Sequence, residues 1–173
     1  MITIISGTNR VHSLTEKFSR IYFDLMKEKF ADVYFFNLTK LPAEIIEMEV
    51  YDSVSHDLDK IETTFFDPAN RFVFIIPEYN GSMPGILKLL IDVLDPKKAF
   101  KNKKAALVGI ATGRAGNLRG MDHLASVLQH MGVTVMPYML PISRVQDELN
   151  DLHTLKEPTL KVVNRHIDEF LAF

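Results

Sequence analysis

The sequence predicts a three-layer α/β fold: a five-stranded parallel sheet in the order 2-1-3-4-5, with helices covering both faces. Strand-like and helix-like segments alternate along the whole chain. The strand-like segments are apolar throughout rather than at every second residue, as expected where both sheet faces are buried. The 173 residues, 47% of them hydrophobic, suit a single domain over residues 1–173 with a full core.

Ile2–Ser6, rich in β-branched residues and ended by Gly7, reads as the first strand. Leu14, Phe18, Ile21, Tyr22, Leu25, Met26 and Phe30 recur at three- and four-residue steps and make one face of a helix. Val33–Phe36 is the second strand. Residues 38–58 show no period and read as a long loop with one helical turn near Glu44–Glu49, before a second helix over Leu58–Phe66. Phe72–Ile76 is the strongest strand signal. Pro84 and Gly85 lead into a helix over Ile86–Leu94, and Ala105–Ala111 is the fourth strand. Leu118, Met121, Leu124, Leu128 and Met131 mark a further helix. Val133–Met136 is the fifth strand, ended by Pro137. Leu160, Val163, Ile167, Phe170 and Leu171 mark the last helix, with Pro158 near its start.

Composition removes several function classes. There is no cysteine, which excludes a disulfide scaffold, a thiolate zinc site and a cysteine nucleophile. Twenty basic and 22 acidic residues leave a formal charge of −2 without a basic stripe, so neither nucleic acid nor membrane is expected as partner. The opening residues lack the pattern of a signal peptide, and the expected location is the cytoplasm. His123 and His130 fall two turns apart on one helix, too far to share a metal alone. Neither Ser13 nor Ser82 lies in the G-x-S-x-G elbow of a hydrolase. A receiver domain would need acidic residues at the end of the first strand, where Ser6-Gly7-Thr8-Asn9 stands.

Ligands of such sheets bind at the carboxyl ends of the strands. Three loops there are specialised. Gly7-Thr8-Asn9-Arg10-Val11-His12-Ser13-Leu14-Thr15 offers hydroxyls, an arginine and backbone N–H groups at a helix N-terminus, which favour a phosphate. Ser13-Leu14-Thr15-Glu16 reads equally as a capping box. Pro77-Glu78-Tyr79-Asn80-Gly81-Ser82-Met83-Pro84 is either an Asn-Gly turn or the wall of a planar ring on which Tyr79 packs. Thr112-Gly113-Arg114-Ala115-Gly116-Asn117 permits close backbone approach to a ligand, with Asn117 also a candidate N-cap. Together they describe a site for a phosphorylated planar cofactor, and FMN fits.

At these three motifs the chain resembles the NADPH-dependent FMN reductases, a flavodoxin-like family of flavin, quinone, azo and chromate reductases. The first loop is similar to the family's G-S-x-R-x-x-S-x-N, the second to its P-E-Y-N-G-S-x-P-G-x-L-K, and the third to its glycine-rich flavin loop. Thr8 and Thr15 stand where Ser and Asn are usual, and Leu89 and Val93 where Asn and Trp are common. The resemblance implies that Thr8, Arg10, Ser13 and Thr15 hold the FMN phosphate, with Leu14 in the same cradle. Pro77, Glu78, Tyr79, Asn80 and Gly81 would line the isoalloxazine. Thr112, Gly113 and Gly116 would meet its pyrimidine end, and Arg114 would contact acceptor or cofactor.

It further implies hydride transfer from NADPH or NADH through FMN to a small acceptor such as a free flavin, quinone, azo compound or metal oxyanion. The kinetics would be ping-pong, with no side chain acting as acid or base. An electron carrier or redox-linked interaction module is the alternative. The 86–94 helix is apolar on almost every side, which implies burial against another subunit in a homodimer or homotetramer. The partner subunit and the 38–58 loop would help roof the flavin.

Overall fold

The computed structural model describes residues 1–46, 56–150 and 154–173. Strand β1 (Ile2–Ser6) lies between β2 (Val33–Asn37) and β3 (Arg71–Pro77), all parallel, with Ile5 paired to Phe36 on one side and Phe74 on the other. Strand β4 (Lys104–Ile110) continues the sheet next to β3, and with β5 (Thr134–Val135) the order is β2-β1-β3-β4-β5. Every residue of β1 is buried, because successive side chains enter two different cores. Ile5, Phe36, Phe72, Phe74 and Leu107 belong to one core; Ile2, Ile4, Val73, Ala106 and Val108 belong to the other.

Helices α1 (Leu14–Lys29) and α7 (Glu157–Ala172) cover the second core with Phe18, Tyr22, Met26, Val163, Ile167 and Phe170. Helices α2 (His56–Ile61), α3 (Gly85–Val93), the short α4 (Pro96–Ala99) and α5 (Leu118–His130) cover the first. On α3, Leu87, Leu90 and Ile91 are buried while Ile86, Leu89 and Val93 remain half-buried.

Two elements differ from the expectation. The helix expected over 58–66 is α-helical only to Ile61, and Glu62–Phe66 form a π-helical turn. The Lys103 ammonium holds its end, donating to the carbonyls of Phe66 at 2.6 Å and Asp67 at 3.0 Å. Burial pushes this amine below its usual range. The fifth strand is also interrupted. Thr134–Val135 pair with β4 as β5, and Leu140–Ile142 return to the same edge as β6. Ala105 faces Val135 but Val108 faces Leu140, so two extra residues bulge out around Pro137, which has no N–H for the ladder. The bulge delivers β6 and the short helix α6 (Val145–Glu148) to the carboxyl end of the sheet. Within the expected 38–58 loop, Leu38–Lys40 and Ala43–Ile46 are 3₁₀ turns. Positions 47–55, including part of the expected Glu44–Glu49 turn, lie outside the described residues.

Candidate functional site

The opening loop leaves β1 in close contact with β3. The Gly7 N–H donates to the Ile75 carbonyl at 2.8 Å. A Cβ on Gly7 would lie 2.7 Å from Ile76 Cγ2 and 3.0 Å from the Ile75 oxygen, so only glycine allows this path. The Thr8 hydroxyl accepts the Arg10 N–H at 3.2 Å, and His12 takes a left-handed φ of 55° before α1 begins. Ser13 caps α1, its Oγ accepting the Glu16 N–H at 3.0 Å. Capping therefore occurs, and it does not exhaust the loop. Among the described residues no protein group accepts the N–H of Asn9, Val11, His12, Ser13, Leu14 or Thr15. Arg10 is exposed and makes no ion pair among them. A run of free N–H groups, the positive end of a 16-residue helix and a free guanidinium form a site for an anion.

The second loop closes tightly. The Tyr79 N–H donates to the Ser82 carbonyl at 2.9 Å, and the Ser82 N–H donates back to Tyr79 at 3.1 Å. Asn80 and Gly81 between them have φ of 52° and 77°, the geometry of a type I′ turn. The Glu78 N–H donates to the Ile110 carbonyl at 2.8 Å, which ties this loop to the end of β4. On the outer side the Ser82 hydroxyl lies 2.8 Å from His123 Nδ1. Tyr79 reaches the first loop, with its phenol oxygen 2.7 Å from the Thr8 hydroxyl.

The third loop is held from above by β6 and α6. The Arg144 N–H donates to Gly113, the Val145 N–H to Ala111 and the Ser143 hydroxyl to Arg114, at 2.6–3.0 Å. Gly116 has φ 58°, and a Cβ there would be 2.5 Å from Pro141 Cβ. Close packing on β6 thus requires this glycine. Asn117 stands at the N-cap position of α5 without capping it. Its side-chain amide turns into the sheet and donates to the Ile76 carbonyl at 3.1 Å.

These loops enclose a cleft of about 440 Å³, within the usual range for small-molecule sites. Arg10, Ser13, Leu14, Thr15, Pro77, Glu78, Tyr79 and Thr112 line it, from all three loops. Asn80 instead lines an adjoining hollow of about 580 Å³ with Asn9, Arg10, Glu78 and Tyr79. Thr8 lies buried beneath, and Gly81, Gly113, Arg114 and Gly116 stand outside the lining. Val11 and His12, within the first loop as read from the sequence, also line the cleft, as do Ile110, Ala111 and Val145, which the sequence reading missed. Ile110 and Ala111 were within reach, as the last residues of the fourth strand. Val145 was not, because it arrives through β6. The anion cradle at one end and the cleft between the loops fit a phosphate joined to a flat heterocycle, as in FMN.

The family model described as NADPH-dependent FMN reductase matches residues 1–147. An NAD(P)H-dependent FMN reductase of Pseudomonas aeruginosa is 40% identical over 67 residues, 38% of this chain and 36% of that protein. A 2-hydroxy-1,4-benzoquinone reductase of a Burkholderia species is 24% identical over 180 residues, covering 99% of this chain and 94% of that one. Among solved structures, the flavoenzyme NAD(P)H:(acceptor) oxidoreductase FerB of Paracoccus denitrificans aligns with a TM-score of 0.80 at 22% identity. That alignment covers 99% of this chain and 94% of FerB, and shows a common fold.

Proposed function

Because the chain belongs to the NADPH-dependent FMN reductase family, we propose that it is an NAD(P)H-dependent oxidoreductase whose FMN lies in the cleft between the β1, β3 and β4 loops. FMN held there would supply the redox chemistry, a hydride acceptor toward NADPH or NADH and an electron donor toward a small acceptor, in ping-pong order. The carrying observation is that, among the described residues, the N–H groups of Asn9 and of Val11 to Thr15 have no protein acceptor and the neighbouring Arg10 side chain has no ion pair. These groups hold the phosphate and so fix the cofactor's position. Pro77, Glu78 and Tyr79 on one side and Thr112 on the other, all lining the cleft, flank the ring and leave no side chain required as acid or base. A quinone is the first acceptor to try, given the benzoquinone reductase among the relatives.

Residues 1–173 act as one FMN-binding domain in the cytoplasm. No helix among the described residues is long and apolar enough to cross a membrane. The half-buried Ile86, Leu89 and Val93 of α3 form the contact of a homodimer or homotetramer. The test is anaerobic addition of NADPH or NADH to the FMN-loaded protein, followed by a quinone. The flavin absorbance should bleach and then recover, and steady-state double-reciprocal plots should be parallel. A yellow protein that neither reductant bleaches would instead be an electron carrier.

A further inference from the structure

Tyr79 and Thr8 are 71 positions apart in sequence, yet their hydroxyl oxygens are separated by 2.7 Å. Thr8 is 1% exposed, and its oxygen already accepts the Arg10 N–H. Two hydroxyls carry two protons, and one O–H···O bond uses one of them. Among the described residues no protein acceptor takes the other. Of the two side chains only Tyr79 lines the cleft. The arrangement that satisfies both groups has the buried Thr8 donating to Tyr79, which leaves the phenol O–H free to donate into the cleft. The paired hydrogen bonds between Tyr79 and Ser82 fix the backbone from which the ring projects.

Resting on the FMN reading above, we propose that the Tyr79 hydroxyl is a phosphate ligand, oriented by Thr8, and that it makes the site select FMN over riboflavin. The Tyr79 ring then acts as a strut between the second loop and the anion cradle, not as a stacking surface for the isoalloxazine. Thr8 is a positioning residue beneath it. Riboflavin carries the same ring without the phosphate, so it separates the two roles.

The experiment titrates apoprotein with FMN and with riboflavin, following quenching of flavin fluorescence. Tyr79→Phe keeps the ring and removes the donor. Its Kd for FMN should rise roughly tenfold or more, the scale of a lost hydrogen bond to a charged group. Its Kd for riboflavin should stay that of wild type, which also shows that the variant is folded. Thr8→Val should weaken FMN selectively but less, and Thr8→Ser should restore wild-type affinity. Equal loss for both flavins, or no loss for either, overturns the proposal while leaving the FMN reading intact. Wild-type protein that binds neither flavin overturns the FMN reading itself.

Discussion

His166, on α7, has no exposed surface, and its Nδ1 lies 2.8 Å from the Tyr22 phenol oxygen. The rings of Tyr22 and Tyr138 stand edge-on to it, with centroids 5.9 and 5.6 Å away. Burial pushes the imidazole pKa down from 6.5 to about 4, against a smaller opposing pull from Glu169. In the unfolded chain the ring regains an ordinary pKa of about 6.5. Between those values the unfolded chain binds a proton that the folded one refuses, so acid favours unfolding there. The contribution is nil above pH 6.5 and grows by about 1.4 kcal/mol for each pH unit below it. It reaches about 3 kcal/mol near pH 4, a large part of the stability of an ordinary domain.

Urea unfolding at steps from pH 7.5 to 4 would measure this in wild type and in His166→Gln, which offers Tyr22 a hydrogen-bonding partner without titrating. The difference between the two proteins should be constant above pH 7 and should shift against wild type through the acid window. Parallel stability curves across the whole range would refute the assignment to His166.

Three further outcomes follow from particular contacts. Gly109→Ala would place a Cβ 2.2 Å from the Gly116 carbonyl oxygen and 3.0 Å from Met121 Cε. Backbone cannot yield as a side-chain tip does, so thermal unfolding should show a loss of about 1–3 kcal/mol, with a third loop displaced from the cleft. Arg10→Ala should weaken FMN binding at least about tenfold, flatten its salt dependence and leave riboflavin affinity unchanged in the same titration. Light scattering should give a mass of at least two chains for wild type, and Leu89→Glu on the half-buried face of α3 should reduce it to one. A monomeric wild type would remove the proposed subunit contact.

The flavodoxin-like sheet was legible because its strands are governed by local composition. Phe72–Ile76 and Ala105–Ile110 are apolar throughout, and both faces of their strands are in fact buried. Ser13 and the Asn80-Gly81 pair were legible for a similar reason, since capping and type I′ turns are set by two to four adjacent residues. What stayed hidden depends on distant partners. The π turn at Glu62–Phe66 is held by Lys103, some forty positions later. Asn117 leaves its expected capping role because the Ile76 carbonyl offers a partner across the sheet, and because Gly120 gives its side chain room. Strand β6 is three residues long with a proline at its centre, so no periodicity announces it. Yet β6 delivers Val145 to the cleft and explains Gly116. The Thr8–Tyr79 bond joins two motifs that a sequence reading treats separately, so nothing in either loop alone announces it.

A crystal structure of the protein grown with FMN bears most directly on the central claim. The phosphate should lie within hydrogen-bonding distance of N–H groups between Asn9 and Thr15, with Arg10 turned toward it. FMN bound elsewhere, with those N–H groups still unengaged, would contradict the account.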